Sequence, residues 1–156
     1  AGGPENYKRM GEILTEQVPG SSISKLIFIS STSVYSDSNS VLTESSEISP
    51  QTASAKVIAE IEKSLLVLPI QVIVLRLAGL FGPGRSPGRF FSGKSNIPNG
   101  FAPVNMIHQE EVIALINALI DLDTAKGIYI GSTPSHPTKE EFYTLAARID
   151  KLPEPD

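Results

Sequence analysis

The sequence predicts an α/β protein: a partial, doubly wound parallel sheet with flanking helices. Three observations predict it. Two short runs, KLIFISS at 25–31 and QVIVLRL at 71–77, have the length and the β-branched content of buried parallel strands. The segments before and between them repeat apolar residues at helical spacing. Each strand also runs straight into a polar or Gly/Pro-rich loop, which is where ligands gather in open α/β sheets.

Residues 4–18 place Tyr7, Met10, Ile13, Leu14 and Val18 on one face of a helix that Pro19-Gly20 ends. The run at 25–31 is apolar without a break from Leu26 to Ile29, which predicts a central strand covered on both faces. A polar loop over 31–49 leaves its carboxyl end. Pro50 can open the next helix, and Val57, Ile58, Ile61, Leu65 and Leu68 carry it to Pro69. The strand at 71–77 is followed by the loop GLFGPGRSPG at 79–88. A short extended segment over 101–107, an apolar helix over 109–122 and a third strand over 127–131 come next. The last helix, 138–149, opens at Thr138 as N-cap with Glu140 and Glu141 close behind. No repeat, low-complexity segment or linker divides this pattern, so it predicts a single domain, 1–156.

At 156 residues, with 40% hydrophobic and 19% charged, the chain is long enough to bury a core. Its 13 basic and 17 acidic residues, net charge -4, give no broad cationic surface for nucleic acid. The absence of cysteine excludes disulfides, thiolate nucleophiles and thiolate metal sites. His108 and His136 are too far apart for metal-ligand spacing, so no metal is expected. The apolar runs are far shorter than the roughly 20 residues a bilayer requires, and the first residues lack a signal-peptide pattern. The expectation is a cytoplasmic protein with a small-molecule partner, and neither nucleic acid nor membrane.

The run LIFISSTSVY at 26–35, then Ser49-Pro50 with Lys56 on the next helix, then RLAGLFGPG at 76–84, occur in the order and spacing of extended short-chain dehydrogenases/reductases. The chain resembles the second half of that NAD-dependent epimerase/dehydratase-like family over nearly all its length. The phrases SSTSVY, LRLAGLFGPGR and SPGRFFSGK are most similar to its YeeZ-type atypical subgroup. The resemblance implies a Rossmann-like fold and NAD or NADP as cofactor of the intact protein. It also implies epimerase, dehydratase or oxidoreductase chemistry on a small substrate such as a nucleotide sugar.

In that family a Ser or Thr hydrogen-bonds the substrate oxygen, and a Tyr-x-x-x-Lys pair supplies the general acid/base and the cation that tunes it and holds the ribose. Residues i and i+4 share a helix face, so phenol and ammonium meet over one ribose. Ser31 matches the hydroxyl role and Lys56 the lysine role, but Thr52 stands where the tyrosine is expected. An aliphatic alcohol holds its proton far more tightly than a phenol, whose pKa begins near ~10 and can be tuned downward. Thr52 therefore favours an alternative, a catalytically inactive NAD(P)-binding or sensing protein.

The resemblance implies cofactor contacts at Ser30, Ser31, Lys56, Leu77, Gly79 and Leu80, and substrate contacts at Tyr35, Arg89, Asn105 and His108. Arg85 and Lys94, near Arg89, would also suit a phosphate. The family's Gly-rich phosphate-binding turn, which uses backbone N–H groups and a helix dipole, does not precede Leu26 here. By that resemblance the chain is a carboxyl-terminal part, with the first strands of the sheet absent, and binds NAD(P) weakly by itself. The family's counterparts of helices 4–18 and 50–68 pair across a four-helix bundle, which implies a homodimer, and an exposed strand edge offers a second route to self-association.

Overall fold

A computed structural model describes residues 3–38 and 40–156. The elements follow in the order α1 (Pro4–Gln17), β1 (Lys25–Ser31), α2 (Ala53–Leu66), β2 (Gln71–Leu77), β3 (Gly79–Phe81), β4 (Met106–His108), α3 (Gln109–Asp121), β5 (Gly127–Gly131) and α4 (Lys139–Ile149). Its contacts gather into two compact units. One holds residues up to Ala78 together with 116–131. The other holds 79–115 and 132–156. Among the described residues no helix is long and apolar enough to cross a membrane.

The first unit is built on the parallel sheet β1-β2-β5. β2 is its centre, buried from Val72 to Leu77, because it pairs with β1 on one side and β5 on the other. The sequence run at 25–31 predicts a central strand, but β1 is at the sheet's edge, and Ile29 is 46% exposed. A continuous apolar run reports the character of both faces and is blind to whether both edges are paired. α1 and α2 pack on one another, and α2 packs on the sheet. The core there is Phe28, Ile61, Leu65, Val72 and Val74. Gly11 permits the helices to approach: a Cβ at this position would stand 2.6 Å from Ile61 Cγ1.

Helix boundaries follow local chemistry. α2 begins three residues later than Pro50, because Thr52 Oγ1 accepts the Ala55 N–H at 3.1 Å and sets the N-cap there. α3 has no basic residue in its last turn, but strand side chains cap it from outside. Lys25 Nζ donates to the carbonyls of Leu119, Ile120 and Leu122, and Gln71 Nε2 to those of Asp123 and Ala125. The bonds to Leu119 and Ile120 satisfy carbonyls that the helix leaves without partners, and the others hold the turn that follows it.

In the second unit, part of the expected loop at 79–88 is a strand: Gly79–Phe81 pairs in parallel with Met106–His108. Extended structure expected over 101–107 is thus concentrated at its far end. Gly79 fits this pairing because a Cβ would meet Met106 Sδ at 2.5 Å. α4 starts as the sequence predicts, with a full capping box: Thr138 Oγ1 accepts the Glu141 N–H, and the Glu141 carboxylate accepts the Thr138 N–H at 2.9 Å.

Candidate functional site

The crossover β1-α2-β2 joins two parallel strands, so α2 runs back along the sheet and its amino end returns to the carboxyl ends of the strands. Three expected site residues belong to the elements that end or begin at that edge. Ser31 is the last residue of β1, Thr52 caps α2, and Lys56 lies in its first turn. α2 touches the short 3-10 turn Thr32–Val34 that follows Ser31. Ser31 Oγ accepts the Ser33 N–H at 3.1 Å, and its own proton has no acceptor among the described residues. The Lys56 side chain is exposed and has no hydrogen-bond partner among the described residues. A cation here gains nothing from the helix dipole, whose positive end it faces.

Thr52 is differently placed. Its hydroxyl oxygen is occupied by the Ala55 N–H and lies 3.2 Å from Ser54 Oγ. Its place in the sequence is that of the family's phenol, but its place in the fold is that of a helix cap.

Behind this edge is a chain of buried polar groups that the sequence reading missed. Arg76 of β2 donates to both Glu62 oxygens of α2, from Nε at 3.1 and 3.2 Å and from Nη2 at 2.7 Å. Its Nη1 donates to Tyr35 Oη at 2.6 Å. The Tyr35 hydroxyl in turn donates to the Thr43 carbonyl at 3.0 Å, and Ser30 Oγ donates to Glu62 Oε1 at 2.5 Å. Glu62 and Arg76 are 2% and 3% exposed. Burial pulls the Arg76 guanidinium down, but its hydrogen bonds to Glu62 and Tyr35 and the attraction of Glu62 outweigh this, so it stays above its ordinary value.

Two of the expected residues are part of this network. Tyr35, expected at the substrate, has its hydroxyl bonded on both sides and its ring packed with Val34 and Ala59, so the phenol belongs to the core. Ser30, expected at the cofactor, is also buried, with its hydroxyl turned to Glu62. One signal for the network was available: Arg76 is the only charge within the apolar stretch 72–77, and a charge in a buried strand requires a partner. Leu77 is buried at the end of β2, and its carbonyl accepts from Thr32 Oγ1 at 3.3 Å.

The remaining expected residues lie in the second unit. Gly79 and Leu80 form β3, and Gly79 N–H donates to the Asn105 carbonyl at 3.0 Å. The Asn105 side chain is exposed. His108 caps α3: Nδ1 accepts the Glu110 N–H at 3.2 Å, and the Glu111 carboxylate accepts the His108 N–H at 3.0 Å. Its ring meets Phe81 edge to face at 5.1 Å between centroids. Gly82, at φ 149°, lies against this cap, where a Cβ would stand 3.3 Å from His108 Nε2. Arg89 closes a 3-10 turn, Pro87–Arg89, and is exposed. That turn is held to α4 by the Ser86–Asp150 hydrogen bond and by Gly88, whose Cβ position is filled by Asp150 and Ala146. No group of acidic or histidine side chains among the described residues could hold a metal ion.

No family model matches the chain. It is 41% identical over 154 residues to Protein YeeZ of Escherichia coli strain K12, and equally to Protein YeeZ of strain O157:H7. Each match takes in 98% of this chain and 56% of the relative, so the chain spans about half the length of the curated relatives it matches. Two solved structures share its fold at low identity. A UDP-N-acetylglucosamine 4-epimerase from Methanobrevibacter ruminantium M1, in complex with UDP-N-acetylmuramic acid, has a TM-score of 0.80 at 20% identity, covering 97% of this chain and 55% of that one. A UDP-glucuronic acid 4-epimerase from Bacillus cereus, in complex with UDP-glucuronic acid and NAD, has a TM-score of 0.81 at 14% identity, covering 96% and 53%. The α/β architecture read from the sequence is therefore the fold of NAD-dependent epimerases.

Proposed function

We propose that the protein carrying this chain, which is 41% identical to Protein YeeZ over 154 residues and shares the fold of the epimerases, binds NAD or NADP at the carboxyl edge of β1 and β2. The observation that supports the reading is the placement of Ser31 and Lys56 at the same end of the sheet, two polar side chains with hydrogen-bonding capacity to spare. Lys56 would donate to ribose hydroxyls, and Ser31 to a substrate oxygen. The nicotinamide, when bound, supplies hydride transfer. The substrate proposed is a small molecule of the nucleotide-sugar class.

A second reading, binding or sensing without turnover, has an observation of its own. Thr52 replaces the phenol, and its oxygen serves the Ala55 N–H, while the nearby phenol of Tyr35 is bonded to Arg76 and Thr43. Neither group is poised to exchange a proton with a substrate. The exposed Tyr7, Met10 and Ile13 of α1 support the homodimer as part of either reading.

The test is a fluorescence titration of NADH and NADPH into the gene product that carries this chain, native and Lys56→Met. Loss of one charge-assisted contact should weaken binding about tenfold. Binding indifferent to Lys56 overturns the site. Turnover of UDP-N-acetylglucosamine or UDP-glucuronic acid by the native protein would remove the second reading.

A further inference from the structure

We propose that Glu62 and Arg76 are positioning residues for the dinucleotide edge, setting Ser31 and Lys56 against one another. The inference rests on the dinucleotide reading above and adds to it the device that keeps the edge in register.

The network joins each element that presents a residue at this edge. Ser30 precedes Ser31 on β1, Glu62 shares α2 with Lys56, Arg76 belongs to β2, and Tyr35 begins the loop that leads from β1 to α2. One carboxylate and one guanidinium thus tie two strands, a helix and a loop. The Tyr35–Thr43 bond extends the tie into the loop, where Glu44 in turn accepts the Ile130 N–H at 3.1 Å.

A buried ion pair is a poor source of stability, since well-packed apolar residues of the same volume commonly do as well or better. It does differ in directionality. An apolar contact between helix and sheet tolerates a slide of an ångström with small loss, whereas a guanidinium held against both carboxylate oxygens loses its geometry at once. A slip of α2 by one residue's rise, about 1.5 Å, would move Lys56 past Ser31 by that distance. Misplacement of about 1 Å is enough to cost a shared ligand much of its binding or reactivity. The pair therefore makes the spacing of half-buried Ser31 and exposed Lys56 depend on bonds sealed in the core.

A merely structural pair would lower stability and leave the affinity of folded protein alone, so the experiment is a double-mutant cycle on NADH affinity. It uses the gene product that carries this chain, with Lys56→Met, Glu62→Gln and the two combined, each titrated well below its own melting temperature. Glu62→Gln alone should weaken binding about tenfold, and in the Lys56→Met background it should add less than about twofold, because it acts through Lys56. Tyr35→Phe keeps the ring and drops only the hydroxyl, so it carries the test if Glu62→Gln does not fold, with a smaller loss that again disappears behind Lys56→Met. If Lys56→Met weakens binding and neither core variant does, or if their losses add fully, the positioning role is overturned and the site stands. If Lys56→Met itself changes nothing, the dinucleotide site fails and takes the positioning role with it.

Discussion

Arg76→Met is the sharpest probe of what the buried network does for the fold. The substitution keeps a long side chain in β2 and removes three bonds to Glu62 and one to Tyr35. Glu62, 2% exposed, is left with Ser30 Oγ as its one side-chain donor among the described residues. Removing one partner of a buried ion pair costs roughly 3–5 kcal/mol, because the remaining charge is stranded away from water. In a chain of this length each kcal/mol moves Tm by roughly 2–4 °C, so the fall should be about 6–20 °C. Glu62→Met added to Arg76→Met removes the stranded charge and should recover at least about 2 kcal/mol, though Ser30 then loses its acceptor. Urea and thermal unfolding followed by circular dichroism at 222 nm would measure both variants. The reasoning is refuted if Arg76→Met lies within about 1 kcal/mol of native, or if the double variant is less stable than the single.

Three further outcomes follow from particular contacts. Gly11→Ala should gain about 1 kcal/mol in helix propensity but lose roughly 1–3 by overpacking against the stiff, buried Ile61; the net loss on urea unfolding should shrink in an Ile61→Ala background, which lacks the Cγ1 that the new Cβ would meet, and net stabilisation in the native background would contradict the packing. Thr52→Ala should cost about 1 kcal/mol of stability on urea unfolding, with Thr52→Ser within a few tenths of native, since both Thr and Ser oxygens can accept the Ala55 N–H. The Thr138 backbone N–H and hydroxyl hold the Glu141 carboxyl below its ordinary value. A depressed folded pKa contributes stability above the unfolded carboxylate range and loses it as pH falls through the folded value, so the protection of the Thr138 amide, taken relative to its intrinsic exchange rate at each pH, should fall only on acidification, as NMR would show.

How much was legible in the sequence differs by element. Strands 25–31, 71–77 and 127–131 were legible to the residue, because short β-branched runs between Pro, Gly and polar stretches leave little room to slide. The capping box at Thr138 was legible because its signal is wholly local. The start of α2 was not, since Pro50 permits a helix and only the Thr52 hydroxyl bond fixes where it begins. The strand Gly79–Phe81 was hidden because its pairing partner, Met106–His108, is distant in the sequence, and Gly and Pro around it read as a turn. At the proposed site, Ser31 and Lys56 are singled out by motif order. Glu62 looked like one more polar residue on an amphipathic helix, and only the sheet beneath α2 turns that face into a sealed one.

The distribution of free and committed groups bears on what kind of chemistry the edge can perform. Proton transfer needs a group within hydrogen-bond reach of the substrate whose proton is not already engaged. The Tyr35 proton goes to the Thr43 carbonyl, and the Thr52 oxygen holds the start of a helix. A Thr52→Tyr variant tests restoration of the acid/base, but it must also surrender the cap, a loss of about 1 kcal/mol that stability measurements would register separately from turnover. Ser31 and Lys56 retain donors to spare, and donors alone suffice to hold a ribose or a carbonyl. If Thr52→Tyr folds and gains turnover where the native protein has none, the edge was complete but for its phenol. If the native protein already turns over, a group outside those placed here moves the proton, and the reading that rests on Thr52 is wrong.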